Sequence, residues 1–310
     1  MSILSHTPLG HVNALKELQI IWLHINNDIK DTIAPSLIAF FTAWFYYDSD
    51  VSKLPLRLGF SLLYAILYIL TFCMLNQVNS KDEDAINKPY RPLPAGLTTR
   101  SNTWRRIIIY TTLFLALSIY LRIFWVSIGW QMVTYFLNIW GGSNHWITKN
   151  WVGMSIGTFL LLAAQWKIAA PASSPGEGGE SFVIFYWLFI SLWAGFSLPI
   201  QDCRDIEGDR EMNRKTLPIA IGDRNARIFM MIMYFSVLPA LFLAAMLSVR
   251  PMLQILRSPV AMVILLSQIA VHWMIAYRLW TKRGPRHDDK TYHLYVYLFC
   301  ALVPTISYLK

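Results

Sequence analysis

The residues able to do chemistry gather in two short acidic stretches, NQVNSKDED (residues 76–84) and QDCRDIEGD (residues 201–209). They hold Asp82, Glu83, Asp84, Asp202, Asp205, Glu207 and Asp209, seven of the chain's 18 acidic residues. Each begins where a membrane-length apolar run stops. Ionisable groups at such places are costly and persist mainly when something pairs with them. Spacings of four put Asn76, Ser80 and Asp84 on one face of a helix, and Asp202, Asp205 and Asp209 at i, i+3 and i+7 share another. Two facing sets of oxygen ligands suit Mg²⁺, which takes a few carboxylates together with water and phosphate oxygens. Lys88, Arg91, Arg204, Arg210 and Lys215 stand close by in sequence to neutralise a phosphate. A solvated loop of weak ion pairs explains either cluster singly. It does not predict two same-face acid sets in corresponding positions of the two halves.

The elements that must position these residues are membrane helices. Of 310 residues, 55% are apolar, 15% aromatic and only 15% charged, and the mean hydropathy is +0.41. That composition belongs to a polytopic membrane protein. The chain divides into about nine runs of spanning length, near 32–47, 54–75, 104–127, 130–147, 151–171, 182–200, 226–249, 259–280 and 291–308. Before them, Leu15, Leu18, Ile21, Trp22 and Ile25 have the spacing of an amphipathic helix lying at the interface. Residues 1–10 lack the layout of a cleavable signal peptide, so insertion is expected to rely on internal spans.

Charge gives an independent view of the topology, because Lys and Arg collect in cytoplasmic loops. The connections after the second, sixth and eighth runs are rich in both, and the glycine-rich loop at residues 171–181 has neither. A cytoplasmic N-terminus and nine crossings place every strongly basic loop, and both acid clusters, on the cytoplasmic side. The net charge of +9 is then topological and requires no nucleic acid. Three cysteines without CxxC spacing indicate neither a disulfide framework nor a zinc site.

NQVNSKDEDAINKPYRPLPAG resembles the first acidic motif of the UbiA superfamily of intramembrane prenyltransferases, and DCRDIEGDREMNRKTLP resembles the second. The resemblance spans the chain and implies a single all-α integral membrane domain over residues 1–310. Its helices would form a ring around a central cavity, with an N-terminal interfacial segment at 1–31 and cytoplasmic cap loops at 76–103 and 201–225. By position it implies Mg²⁺ bound through Asn76, Asp84, Asp202, Asp205 and Asp209, a diphosphate held by Arg91, and a further contact from Lys149 before the fifth run. Lys167 competes with Lys149 for that role. Gln77 and Ser80 occupy positions where the family pattern has carboxylates, and the variant NQxxSxxED resembles fungal membrane-bound terpene cyclases. Glu83 becomes a replacement ligand, although a continuous helix would turn it about 100° from Asp84.

The implied reaction is ionisation of a prenyl diphosphate, with Asp84, Asp202 and Asp205 catalytic and the cation cyclising in an apolar chamber. Farnesyl diphosphate and a sesquiterpene product are the expectation from the resemblance. Aromatic candidates for the chamber wall are Phe72, Phe114, Tyr135, Phe159, Phe185, Trp193, Phe196 and Tyr234, each of which packing or lipid contact explains as well. His272 is a candidate proton acceptor, with a packing role as the alternative; His145 lies near Lys149. An aromatic prenyltransferase delivering the same cation to a phenol, quinone precursor or indole is the second reading, and a non-enzymatic transporter the third. The bilayer and the prenyl diphosphate are the expected partners, with no obligate protein partner. The endoplasmic reticulum is the default membrane.

Overall fold

The computed structural model describes residues 14–170, 181–211 and 213–309. The first part of the expected interfacial segment, and the glycine-rich loop apart from Ser181, lie outside them. Among the described residues there is no β-strand, only an isolated parallel bridge between His145 and Lys215. The helices are α1 Ala14–Ile25, α2 Ala34–Tyr46, α3 Leu54–Asn79, α4 Lys81–Asn87, α5 Arg100–Tyr120, α6 Phe124–Asn138, α7 Ser155–Ala169 and α8 Ser181–Ser197. The second half continues with α9 Ile206–Glu211, α10 Leu217–Ile221, α11 Asp223–Ile232, α12 Leu238–Val249, α13 Met252–Arg257, α14 Pro259–Thr281, α15 Pro285–Leu302 and α16 Thr305–Tyr308.

Local chemistry sets many of these starts. Prolines occupy the first turn of α2, α3, α10, α12, α14 and α15, where a missing N–H costs nothing. Thr99 caps α5, its hydroxyl accepting from the Asn102 N–H at 3.2 Å, and Ser258 caps α14 in the same way. A π-helical segment at Met233–Val237 lets the chain run from α11 into α12 past Pro239.

Among the described residues five helical runs are long and apolar enough to cross a membrane: Val51–Asn79, Ile147–Ala169, Ser181–Cys203, Asp223–Val249 and Pro259–Thr281. The other four expected spans are helices α2, α5, α6 and α15. Two of them, α2 and α6, have only 13 and 15 residues. Helix α5 begins with Arg100, Arg105 and Arg106, and α15 begins PRHDDK. Length and charge thus separate them from the five.

Helix α8 packs between α7 and α12, α7 against α2 and α3, α14 against α12 and α15, and α15 returns to α2, so the contacts close on themselves. Trp187, Trp193 and Tyr186 of α8 are fully buried at the centre. At one end Arg57 donates to the Ile168 carbonyl at 3.2 Å, joining the start of α3 to the end of α7. At the other end the three basic connections meet: Arg214 pairs with Glu83 at 2.6 Å, Arg204 with Asp289 at 3.3 Å, and Arg227 forks onto Asp288 at 2.7 and 2.9 Å.

Helix α1 is pinned to that end by its polar face. Arg106 donates to both Glu17 oxygens, at 2.7 and 2.6 Å. His24 Nδ1 donates to Gln77 Oε1 at 2.6 Å, and Gln77 Nε2 donates to the His24 carbonyl at 2.9 Å. Leu15, Leu18 and Trp22 are exposed on the opposite face, whereas Ile25 is buried. Gln77, one of the departures from the family pattern, therefore anchors α1.

Candidate active site

Both acidic motifs lie at interruptions of helix, where a continuous helical face was expected. Helix α3 ends at Asn79, Ser80 leaves helical geometry (φ −112°, ψ 28°), and α4 restarts at Lys81. The restart rotates the following side chains, so Glu83 and Asp84 both face the cavity that Asn76 lines from above the break. In the second motif a 3₁₀ segment, Leu198–Cys203, gives way to a turn before α9. Asp202, Asp205 and Asp209 nevertheless line the same cavity. Their convergence comes from the turn, not from i, i+3, i+7 spacing along one helix.

Cations tie the two motifs together. Arg91, turned back after α4, donates to Asp84 Oδ1 at 2.7 Å with both side chains buried. Arg214 of the second loop pairs with Glu83 of the first at 2.6 Å and lies 3.6 Å from Asp209. The π-helical segment Ile147–Met154 swings Lys149 to 3.0 Å from Asp202 Oδ1 and Asn150 Nδ2 to 3.3 Å from Oδ2. That approach needs Gly195 on α8, where a Cβ would sit 2.0 Å from Ser155 Oγ and 2.7 Å from the Asn150 carbonyl.

The cavity has a volume of about 260 Å³ and two chemically distinct ends. The motif end is lined by Asn76, Glu83, Asp84, Lys88, Arg91, Lys149, Asp202, Arg204, Asp205, Asp209 and Arg214. Tyr68, Phe72, Trp130, Tyr295 and Phe299 wall the other end, together with Leu137, Leu161 and Val296. The rings of Tyr68 and Trp130 stack at 4.0 Å, and Trp130 donates from Nε1 to the Tyr68 carbonyl at 2.8 Å. An electrophile formed at the first end would thus enter an electron-rich chamber at the second.

Residues 34–303 match the family model described as the UbiA prenyltransferase family. This chain belongs to that family. It is 35% identical over 290 residues to the diterpene cyclase eriG of Hericium erinaceus, covering 93% of this chain and 87% of that one. The polyprenyl transferase eriF of the same fungus is also 35% identical, over 76% of this chain and 75% of its own. Somaliensene A/B synthase of Streptomyces somaliensis is 27% identical over 90% of this chain and 89% of its own. Among solved structures, a UbiA homolog from Archaeoglobus fulgidus bound to GPP and Mg²⁺ superposes with a TM-score of 0.64 at 16% identity, covering 93% of this chain and 99% of that one. The fold is UbiA-like, and the chain is a prenyl-diphosphate-dependent enzyme of the terpene cyclase and prenyltransferase kind.

Within this UbiA fold, burial and neighbouring cations set the charge state of the site. Burial raises the Asp84 and Glu83 carboxyls above their ordinary range, against the pull of Arg91 and Arg214 respectively. Burial lifts Asp209 to about 6, opposed by Lys149. The Lys88 ammonium is lowered by burial and by Arg91. Among the described residues no three His, Cys, Asp or Glu side chains converge closely enough to enclose a metal ion by themselves. The residues still fit Mg²⁺, an ion that takes only one or two carboxylates alongside water and phosphate. The donor set is all oxygen, and Asp84 Oδ2 is buried without a hydrogen-bond partner. A buried anionic oxygen left so is costly unless a cation meets it.

Several expected residues lie elsewhere. Arg210 and Lys215 are exposed and do not line the cavity. Arg210 stands on the exposed side of α9, and the Lys215 backbone is engaged with Asn144 and Trp146. Arg214 takes the place expected of them. Lys167 is exposed near the end of α7, far along the chain from Lys149, which reaches Asp202. Of the aromatic candidates only Phe72 lines the cavity; Phe114 packs on Tyr64, and Trp193 and Tyr234 are buried in the core. Trp193 Nε1 donates to His272 Nε2 at 2.8 Å while His272 Nδ1 donates to the Gln268 carbonyl, so the packing alternative describes His272. His145 is partly buried beside Trp146 and does not line the cavity.

A third wall was not expected. The π-helical turn Ile29–Ile33 after α1 brings Asp28 and Asp31 to the cavity. Tyr292 of α15 donates to Asp31, and the Arg204 guanidinium lies 4.3 Å from the centroid of the same ring.

Proposed function

We propose that this enzyme is a Mg²⁺-dependent terpene cyclase that ionises a prenyl diphosphate and folds the resulting allylic cation into a cyclic hydrocarbon, releasing diphosphate. The observation that carries the proposal is the division of one cavity into a carboxylate- and cation-lined end and an aromatic end. Mg²⁺, when bound, supplies positive charge to the departing diphosphate. Asn76, Glu83, Asp84, Asp202, Asp205 and Asp209 are the residues that would hold it. Lys88, Arg91, Lys149, Arg204 and Arg214 would orient the diphosphate oxygens and stabilise the charge that builds on them. Arg91, Lys149, Arg204 and Arg214 each pair with a motif carboxylate, and exchange of partners would accompany diphosphate binding. Tyr68, Phe72, Trp130, Tyr295 and Phe299 would shield the cation from water and stabilise it through their faces, at about 0.5–2 kcal/mol each.

The similarity to a diterpene cyclase over 93% of the chain favours geranylgeranyl diphosphate over the farnesyl diphosphate expected from sequence. Transfer of the prenyl group to an aromatic acceptor is the second reading, and the equal identity to a polyprenyl transferase supports it. The three basic connections at the motif end favour a cytoplasmic site, and the endoplasmic reticulum is the proposed membrane.

The test is incubation of purified protein in detergent with Mg²⁺ and either diphosphate, without acceptor. A cyclic hydrocarbon plus free diphosphate supports the cyclase. Turnover only on adding a phenol or indole moves the assignment to transferase, and no metal-dependent turnover with either substrate defeats both.

A further inference from the structure

Asn76 carries an amide, and only its oxygen can serve a cation. Which end of that amide faces the cavity is decided outside the motif. Asn138, in the last turn of α6, holds one amide atom 2.9 Å from the Thr134 carbonyl and the other 2.9 Å from the Asn76 amide. A carbonyl oxygen accepts and cannot donate, so the Asn138 atom facing Thr134 must be Nδ2. Asn138 therefore presents Oδ1 to Asn76, and Asn76 must answer with its own Nδ2. Among the described residues no donor meets Asn76 Oδ1, and Asn76 lines the cavity. The backbone holds the relay in place, since Asn79 Nδ2 donates to the Asn138 carbonyl at 3.1 Å and thereby joins the end of α3 to the end of α6.

We infer that Asn138 is a positioning residue that fixes the amide of Asn76 with its oxygen toward the metal and diphosphate. This rests on the reading of the cavity as a Mg²⁺ and diphosphate site. Without Asn138 the Asn76 amide is free to rotate and to present N–H groups, which repel a cation. Outer partners of this kind alter metal affinity by about tenfold or more.

The test measures Mn²⁺ binding by electron paramagnetic resonance, in detergent with inorganic pyrophosphate, so that it does not depend on turnover. Asn138→Leu is expected to weaken Mn²⁺ binding about tenfold. Asn138→Asp, which still accepts from Asn76, is expected to bind at least as tightly as the unaltered protein. In an Asn76→Ala background, Asn138→Leu should add no further loss, because the group it orients is gone. Multiplying losses in the double variant, or unchanged affinity in a folded Asn138→Leu protein, would overturn the inference while leaving the site intact. Should Asn138→Leu fail to fold, Asn138→Ser supplies the same comparison, being too short to reach Asn76. If the unaltered protein shows no pyrophosphate-dependent Mn²⁺ binding, the site assignment fails, and the role of Asn138 with it.

Discussion

Arg214 and Glu83, 131 positions apart in sequence, meet through two contacts, Nη1 to Oε1 at 2.8 Å and Nη2 to Oε2 at 2.6 Å. The first is a charge-assisted hydrogen bond and the second a close ion-pair contact. The pair connects the loops carrying the two motifs, and Arg214 also stands 3.6 Å from Asp209. Arg214→Ala is expected to reduce kcat about a hundredfold, since it removes a preorganised cation from the leaving-group end. Arg214→Lys should recover only part of this, because a compact ammonium cannot span Glu83 and Asp209 as the guanidinium does. Steady-state diphosphate release measures both, and full activity in the alanine variant would exclude Arg214 from the machinery.

Much of the wall was legible in sequence had the motifs been extended inward at helical spacing. Tyr68, Phe72 and Asn76 follow one another by four along α3, Ala194, Leu198 and Asp202 do so on the α8 side, and Tyr292, Val296 and Phe299 follow by four and then three on α15. Aromatic content alone gave Phe114, Trp193 and Tyr234, which are equally apolar but face the core. The breaks at Ser80 and after Cys203 carry neither proline nor glycine, so composition did not signal them. Asp28 and Asp31 precede every long apolar run, and the folding of α1 onto Gln77 and Arg106, with the π-helical turn that follows, brings them to the cavity. The nine-run count followed apolar stretches closely, but charge at the ends of α5 and α15 and the shortness of α2 and α6 leave five runs that meet spanning criteria unaided.

The aromatic end makes its own prediction through Gly157. A Cβ there would lie 2.5 Å from Trp130 Cζ3, and the Gly157 carbonyl accepts from the Tyr68 hydroxyl at 2.6 Å. Gly157→Ala must displace the stacked Trp130 ring, at a cost of about 1–3 kcal/mol. Product composition is expected to change, with more acyclic or partly cyclised hydrocarbon, while diphosphate release falls less. Gas chromatography of the extracts checks this. An unaltered product spectrum would show that the stack does not shape the folding of the substrate.

His24 links stability to pH. Burial lowers its pKa to about 4 from an ordinary value of 6.5, outweighing the hydrogen bond to Gln77. The folded state thus holds His24 neutral where the unfolded chain would protonate it. Its contribution is complete above about pH 6.5 and is lost as the pH falls toward 4, by about 3 kcal/mol for a shift of this size. Carboxyls raised by burial, including Asp31 and Asp209, act in the opposite sense, so the comparison must be between variants. His24→Gln should flatten the acid side of the melting profile in detergent relative to the unaltered protein. Identical slopes between pH 7 and 5 would place the acid sensitivity elsewhere.

Asp84 and Asp205 face the same cavity but differ in what supports them, so their variants should separate catalysis from folding. The Asp84 side chain is 4% exposed and paired with an Arg91 side chain that is 8% exposed. Asp84→Ala would strand that guanidinium and cost about 3–5 kcal/mol of stability. Asp84→Asn leaves Arg91 an acceptor and removes the charge, which makes it the cleaner variant. Asp205 is 49% exposed, so Asp205→Ala should shift stability by about 0.5 kcal/mol or less. Both Asp84→Asn and Asp205→Ala are expected to lower turnover at least about a hundredfold, as the loss of charge aimed at the reacting end requires. Melting temperature and diphosphate release on the same preparations check the pair. Asp205→Ala with normal melting and normal turnover would remove the second motif's exposed carboxylate from the chemistry, leaving Asp202 and Asp209 as that motif's contribution to the metal-holding set.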